Sequence, residues 1–104
     1  MASGTIKTGA PVEVSITTVT TDWTNNNTSC YKIGNLVIVQ FYAQGTLSNG
    51  KNIATDLPIP VTPPQTISGA SSPSVIRIGT VGNLYVQLAG SGTYIGGTLV
   101  YMTS

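Results

Sequence analysis

Ser29-Cys30-Tyr31-Lys32-Ile33 and Leu36-Val37-Ile38-Val39-Gln40-Phe41-Tyr42-Ala43, joined by Gly34-Asn35, form the stretch that decides the fold class. β-Branched and aromatic residues dominate both arms, and such side chains fit a pleated, half-buried surface. A Gly-Asn pair between two such runs reads as a β-hairpin with a primed turn, whose twist matches that of the flanking strands. Leu36 to Ala43 carries apolar residues on both faces, so it is expected at the centre of a sheet or against another subunit.

Towards the N-terminus, Pro11 leads into Val12 to Val19. Val12, Val14 and Ile16 alternate with Glu13, Ser15 and Thr17, the pattern of one half-buried strand. Gly4 to Thr8 reads as a short strand or linker, and Thr20 to Thr28 as a polar loop holding the single tryptophan, Trp23. Towards the C-terminus, Asn49-Gly50 marks a turn tip and Asn52 to Leu57 a short strand. Pro58, Pro60, Pro63 and Pro64 forbid regular pairing, so residues 58–64 are expected as an extended connection or edge. Gln65 to Ser71 is a further short strand. Ser74 to Thr80, Leu84 to Leu88 and Tyr94 to Met102, separated by Val81-Gly82-Asn83 and Gly90-Ser91-Gly92, read as a three-strand meander.

Twelve glycines and six prolines leave no long stretch with a 3.6-residue period. About eight short strands spaced by about 8–12 residues predict an all-β fold, a small antiparallel β-sandwich or jelly-roll-like head. The 104 residues suffice for one domain. Residues 1–10 read as a linker or stem remnant and residues 11–104 as the sandwich.

Charged residues make up 7 % of the chain, against about 25 % in an ordinary soluble domain. Hydrophobic residues at 40 % separate it from a disordered polar chain. Thr, Ser, Asn, Gln and Gly fill the remaining surface, which suits water, sugars and neighbouring subunits. The net charge is +1, and Lys7, Lys32, Lys51 and Arg77 are scattered, so the basic footprint of nucleic-acid binding is absent. No apolar run approaches the roughly 18 residues of a spanning helix, so no membrane insertion is expected. The N-terminal stretch shows no apolar signal-peptide core. The single cysteine, Cys30, forms no intrachain disulfide, and with nothing beside it to lower its pKa it reads as a small buried hydrophobe. Asn26-Asn27-Thr28 and Asn27-Thr28-Ser29 match the glycosylation sequon, but without a secretory signal they read as polar loop.

The chain contains no histidine, which removes Ser-His-Asp and Cys-His arrangements and the commonest general base. One cysteine without histidine makes no conventional zinc site, and neither metal nor cofactor is expected. Glu13, Asp22 and Asp56 are the only acids, so a glycosidase would need two of these three to face each other across a bond. Binding rather than catalysis is the expectation. Trp23 beside Asp22 either caps the core or offers an aromatic platform to a sugar ring, with Asp22 and nearby Asn residues meeting its hydroxyls. Tyr85 and Tyr94 are either ordinary strand residues or part of a polar-aromatic surface. Arg77 is either a solvent-facing or intersubunit residue, or a clamp for an acidic sugar or phosphate. The candidate ligand-binding residues are Asp22, Trp23, Tyr85, Tyr94 and Arg77.

The order of motifs is Asp22-Trp23-Thr24, Tyr31-Lys32-Ile33-Gly34-Asn35-Leu36-Val37-Ile38-Val39, Ile53-Ala54-Thr55-Asp56-Leu57-Pro58, Ile78-Gly79-Thr80-Val81-Gly82-Asn83-Leu84-Tyr85-Val86 and Gly97-Thr98-Leu99-Val100-Tyr101. Over roughly residues 20–104 it resembles the C-terminal head domains of phage tail fibres and receptor-binding proteins from phages of Gram-positive bacteria. The resemblance implies a β-sandwich head on a homotrimer that adheres to host cell-surface saccharide. It also implies attachment to an upstream fibre or tail protein, and a place on the virion after synthesis in the bacterial cytoplasm. No family-wide binding residue transfers to this chain. A structural virion or appendage protein, a decoration or capping subunit with only protein partners, is the alternative on the same fold.

Overall fold

The computed structural model describes residues 10–69 and 72–104, and the readings of Gly4 to Thr8 and of residues 1–9 as linker or stem lie outside them. Among the described residues there are nine strands and no helix: β1 (Val12–Glu13), β2 (Thr17–Thr18), β3 (Asn25–Ile33), β4 (Leu36–Gln44), β5 (Asn52–Thr55), β6 (Gln65–Ser68), β7 (Ser74–Ile78), β8 (Leu84–Leu88) and β9 (Tyr94–Met102). They form two antiparallel sheets, ordered β1-β3-β4-β9 and β2-β5-β8-β7-β6. The fold is a small β-sandwich.

The β3–β4 hairpin builds the first sheet. Ile33 pairs with Leu36 across Gly34-Asn35, and the register runs unbroken to Asn25 opposite Gln44. Gly34 adopts φ 60°, which suits the first central position of a type II′ turn. β4 is central, paired along all nine residues with β9 as well. Val37, Val39, Phe41 and Ala43 point into the core, where they meet Ile53, Ile76, Ile78, Leu84 and Val86 from the second sheet. Phe41 packs over Gly97, where an added Cβ would lie 3.3 Å from the ring.

Three expectations need correction. Val12 to Val19 is two short strands rather than one: Val12–Glu13 pairs with β3, and Thr17–Thr18 pairs with β5. The chain crosses between sheets at residues 14–16 and closes that side of the sandwich, which leaves Val12 exposed while Val14 and Ile16 pack on the core. The polar loop ends at Thr24, because Asn25 to Thr28 extend β3. The meander is only a β7–β8 hairpin, since β9 crosses to the first sheet. At the departure the chain folds tightly over the start of β7, where only a glycine fits: a Cβ on Gly90 would lie 2.0 Å from the Ser72 carbonyl oxygen. Within the β7–β8 hairpin a bulge opposite Val75/Ile76 turns Leu88 outward, off the face of Leu84 and Val86.

The proline-rich connection behaves as an edge element. Pro60 bridges Thr103, the Val61 amide donates to the Met102 carbonyl, and the Tyr101 hydroxyl donates to the Pro58 carbonyl at 2.8 Å. Ser68 Oγ accepts from the Gly96 amide. Residues 58–68 thereby cover part of the β9 edge, a usual protection against edge-to-edge association. Among the described residues no buried side-chain polar atom lacks a partner.

Candidate functional site

The five candidate residues fall in three places. Asp22 and Trp23 sit at the loop end of the sandwich, between β2 and β3. Thr20 to Trp23 form a turn in which Asp22 takes φ 65°, and its exposed carboxylate rims the grooves there. Trp23 is only 7 % exposed and belongs to the core. Its indole Nε1 donates to the Asn52 carbonyl at 2.9 Å, and the Lys51 ammonium lies 4.0 Å from the ring centroid. Lys51 also donates to the carbonyls of Asp22 and Thr46. The Trp23 ring is thus sealed by the second sheet and by Lys51, and it is not an open platform for a sugar.

Arg77 and Tyr85 stand opposite each other on β7 and β8, half-buried on the outer face of the second sheet. Gln65 and Asn52 extend that row to either side. Tyr94 lies on the outer face of the first sheet, 64 % exposed.

Tyr94 has a partner that sequence reasoning passed over. Tyr42 projects from β4 on the same face, 40 % exposed, with its ring centroid 6.2 Å from that of Tyr94 and the planes tilted by 33°. Gly96, opposite Tyr42, leaves the space that the Tyr42 ring uses, since an added Cβ would contact Cδ1 at 3.4 Å. Strand register sets the neighbours in three rows across β3, β4 and β9: Asn25–Gln44–Tyr94, Asn27–Tyr42–Gly96 and Ser29–Gln40–Thr98. A shallow groove of about 380 Å³ runs past Asn27, Ser29, Gln40 and Tyr42. A second groove, lined by Asp22, Thr24, Gln44 and Thr93, adjoins the first row at the loop end. Two further rows towards the hairpin, Glu13–Tyr31–Ile38–Val100 and Ile33–Leu36–Met102, are apolar except for Glu13 at the β1 edge. The outer face of the first sheet therefore has a polar-aromatic half and an apolar half.

No family model, curated protein or solved structure matches this chain. The site therefore rests on its own chemistry. Amide and hydroxyl side chains beside exposed phenol rings supply donors, acceptors and apolar faces together, as recognition of a polyhydroxylated ring requires.

The other singled-out residues have structural placements. Asn26, in the sequon, donates its amide to the carbonyls of Val19 and Ile53, both at 2.8 Å, and so ties the two sheets together. Asn27 donates to Asn25 Oδ1 on the polar face. Asp56 accepts from the Thr17 hydroxyl at 2.6 Å, and Glu13 lies at the β1 edge beside Tyr31. The two loop-end grooves hold one carboxylate between them, that of Asp22. Cys30 is buried, and burial pushes its thiol up to about 11, against a smaller opposing effect of Lys32. Among the described residues no three His, Cys, Asp or Glu side chains gather into a metal-binding cluster.

The sequence does hold a signal for the missed residues. Gln40, Tyr42 and Gln44 alternate with Val39, Phe41 and Ala43. Residues 25–29 are polar throughout, so hydropathy gives no strand phase there, and only the pairing with β4 sets which of them face outward.

Proposed function

We propose that this protein is a non-catalytic head of a phage tail fibre or receptor-binding protein, adhering as a homotrimer to host cell-surface saccharide. The observation that carries the reading is the Tyr42–Tyr94 pair set among Asn, Gln, Ser and Thr side chains on a rigid sheet. Exposed aromatic rings present a flat apolar surface with a polar tip, which matches the amphipathic face of a sugar. The resemblance in the order of motifs supplies the biological setting, with the upstream fibre or tail as protein partner. The absence of histidine and the single carboxylate in the loop-end grooves support adhesion over bond cleavage.

Glycan-array and host-cell binding by the purified protein tests the proposal. Binding should be lost on Tyr42→Ala or Tyr94→Ala. Absence of cell and glycan binding by the folded wild type would reject it. The apolar rows offer a surface to identical subunits, and light scattering should then give three times the 10.7 kDa chain mass.

The same apolar rows favour a second reading, a structural virion or appendage subunit with only protein partners. Copurification with capsid or tube protein, together with no affinity for cells, would select it.

A further inference from the structure

The polar-aromatic half of the first sheet carries no charged side chain. Its rows contain Asn25, Asn27, Ser29, Gln40, Tyr42, Gln44, Tyr94, Gly96 and Thr98. The chain has few cations, and the structure holds those of its described residues elsewhere. Lys51 is committed to two carbonyls and to the Trp23 ring. Lys32 pairs with Val12 at the β1 edge, towards the hairpin. Arg77 lies on the opposite sheet. At the loop end, Asp22 lines the groove that also takes in Gln44 and Thr93, and the Lys51 ammonium lies against the Asp22 carbonyl there.

Resting on the saccharide-binding reading above, we infer that this face takes an extended, neutral oligosaccharide and rejects chains bearing carboxylate or phosphate groups. An anionic group set on these rows would shed hydration without gaining an opposite charge, and desolvating an unpaired charge is costly. A neutral sugar meets no such penalty. Amides offer both donors and acceptors to neighbouring hydroxyls, and the tilted rings of Tyr42 and Tyr94 take the apolar ring faces. The three rows span about 14 Å along the strands, at roughly 3.4 Å per residue. That exceeds one sugar ring, so affinity rises with chain length. The row Gln65–Arg77–Tyr85–Asn52 on the other sheet is where an acidic sugar would find its cation.

Calorimetric titration of the intact protein tests the inference. The neutral probes are glucose, galactose, rhamnose and N-acetylglucosamine oligomers, from monomer to hexamer. The anionic probes are polygalacturonate and poly(glycerol phosphate), and every titration is run at low and high NaCl. At least one neutral series should bind, more tightly with length. Its affinity should change less than about twofold with salt, because screening acts on charge pairs that this face lacks. Tyr42→Ala and Tyr94→Ala should each weaken it about tenfold or more, the scale of one lost base–aromatic stacking contact. Arg77→Ala should leave it unchanged. Tight binding of an anionic probe that falls with salt and is lost in Tyr42→Ala or Tyr94→Ala would overturn the inference while leaving saccharide adhesion intact. Failure of every probe, with the circular dichroism of a folded sheet preserved, would overturn both.

Discussion

Trp23 and the Tyr42–Tyr94 pair are the aromatic features nearest the loop end, and the fold treats them oppositely. Trp23 is turned inward, its N–H bonded to Asn52 and its ring covered by the Lys51 ammonium. Tyr42 and Tyr94 are held outward by strand alternation, their rings side by side on the sheet. An aromatic residue in a polar loop invites a functional reading, but a loop at the end of a sandwich lies over the gap between the sheets, and a large ring fills that gap. An aromatic residue on the outer phase of a long central strand has no gap to fill. The difference separates stability from recognition, and mutations should separate them too.

The largest effect is expected from Trp23→Ala. Removing a buried indole should cost about 3–5 kcal/mol in urea unfolding, enough to threaten the fold, whereas the tyrosine variants stay folded. Equal losses from Trp23→Ala and Tyr42→Ala would erase the distinction.

The sealed interior can also be probed by pH. Cys30 is lifted from about 9.0 to about 11 by burial, so the unfolded chain gives up this proton before the folded one does. Stability from this group is full below about pH 9 and falls as pH rises towards 11, by roughly 2–3 kcal/mol in all. Burial, with a smaller contribution from Cys30, raises the Tyr101 phenol well above its usual 10.0, which extends the decline to higher pH. Chemical denaturation across this range should show the fall. In Cys30→Ala the part beginning near pH 9 should vanish.

Asn26→Ala tests the bridge between sheets beside the open face. Two part-buried carbonyls, those of Val19 and Ile53, lose their donor, at about 1–3 kcal/mol by thermal or urea unfolding. Asn27→Ala, on the outer phase, should cost well under that.

Lys51→Ala sharpens the contrast with a smaller effect, below about 1 kcal/mol, because it uncovers the Trp23 ring without emptying its site. Tryptophan fluorescence should shift red as water reaches the ring. The smallest stability change, also below about 1 kcal/mol, belongs to Tyr42→Ala and Tyr94→Ala, which lose one exposed ring contact. Their signature is lost ligand binding in a protein that unfolds almost as wild type does.

The all-β class, the hairpin at Gly34-Asn35 and the central place of β4 were legible in the chain alone. These are local properties: a two-residue period, a turn that suits Gly and a scarcity of helix-compatible stretches. The sequence also determined the chemistry on offer, since a chain without histidine and with three acids has few catalytic arrangements open to it. Only the tertiary structure decided where β9 pairs. β9 crosses to the first sheet and pairs along the whole of β4, a long-range pairing not visible in local periodicity. The site followed from that choice. Tyr94 meets Tyr42 because β9 lies against β4. Arg77 and Tyr85 are parted from them because β7 and β8 stay in the other sheet. Alternation tells which residues share a face of one strand, but only the pairing of strands distant in sequence tells which residues share a surface.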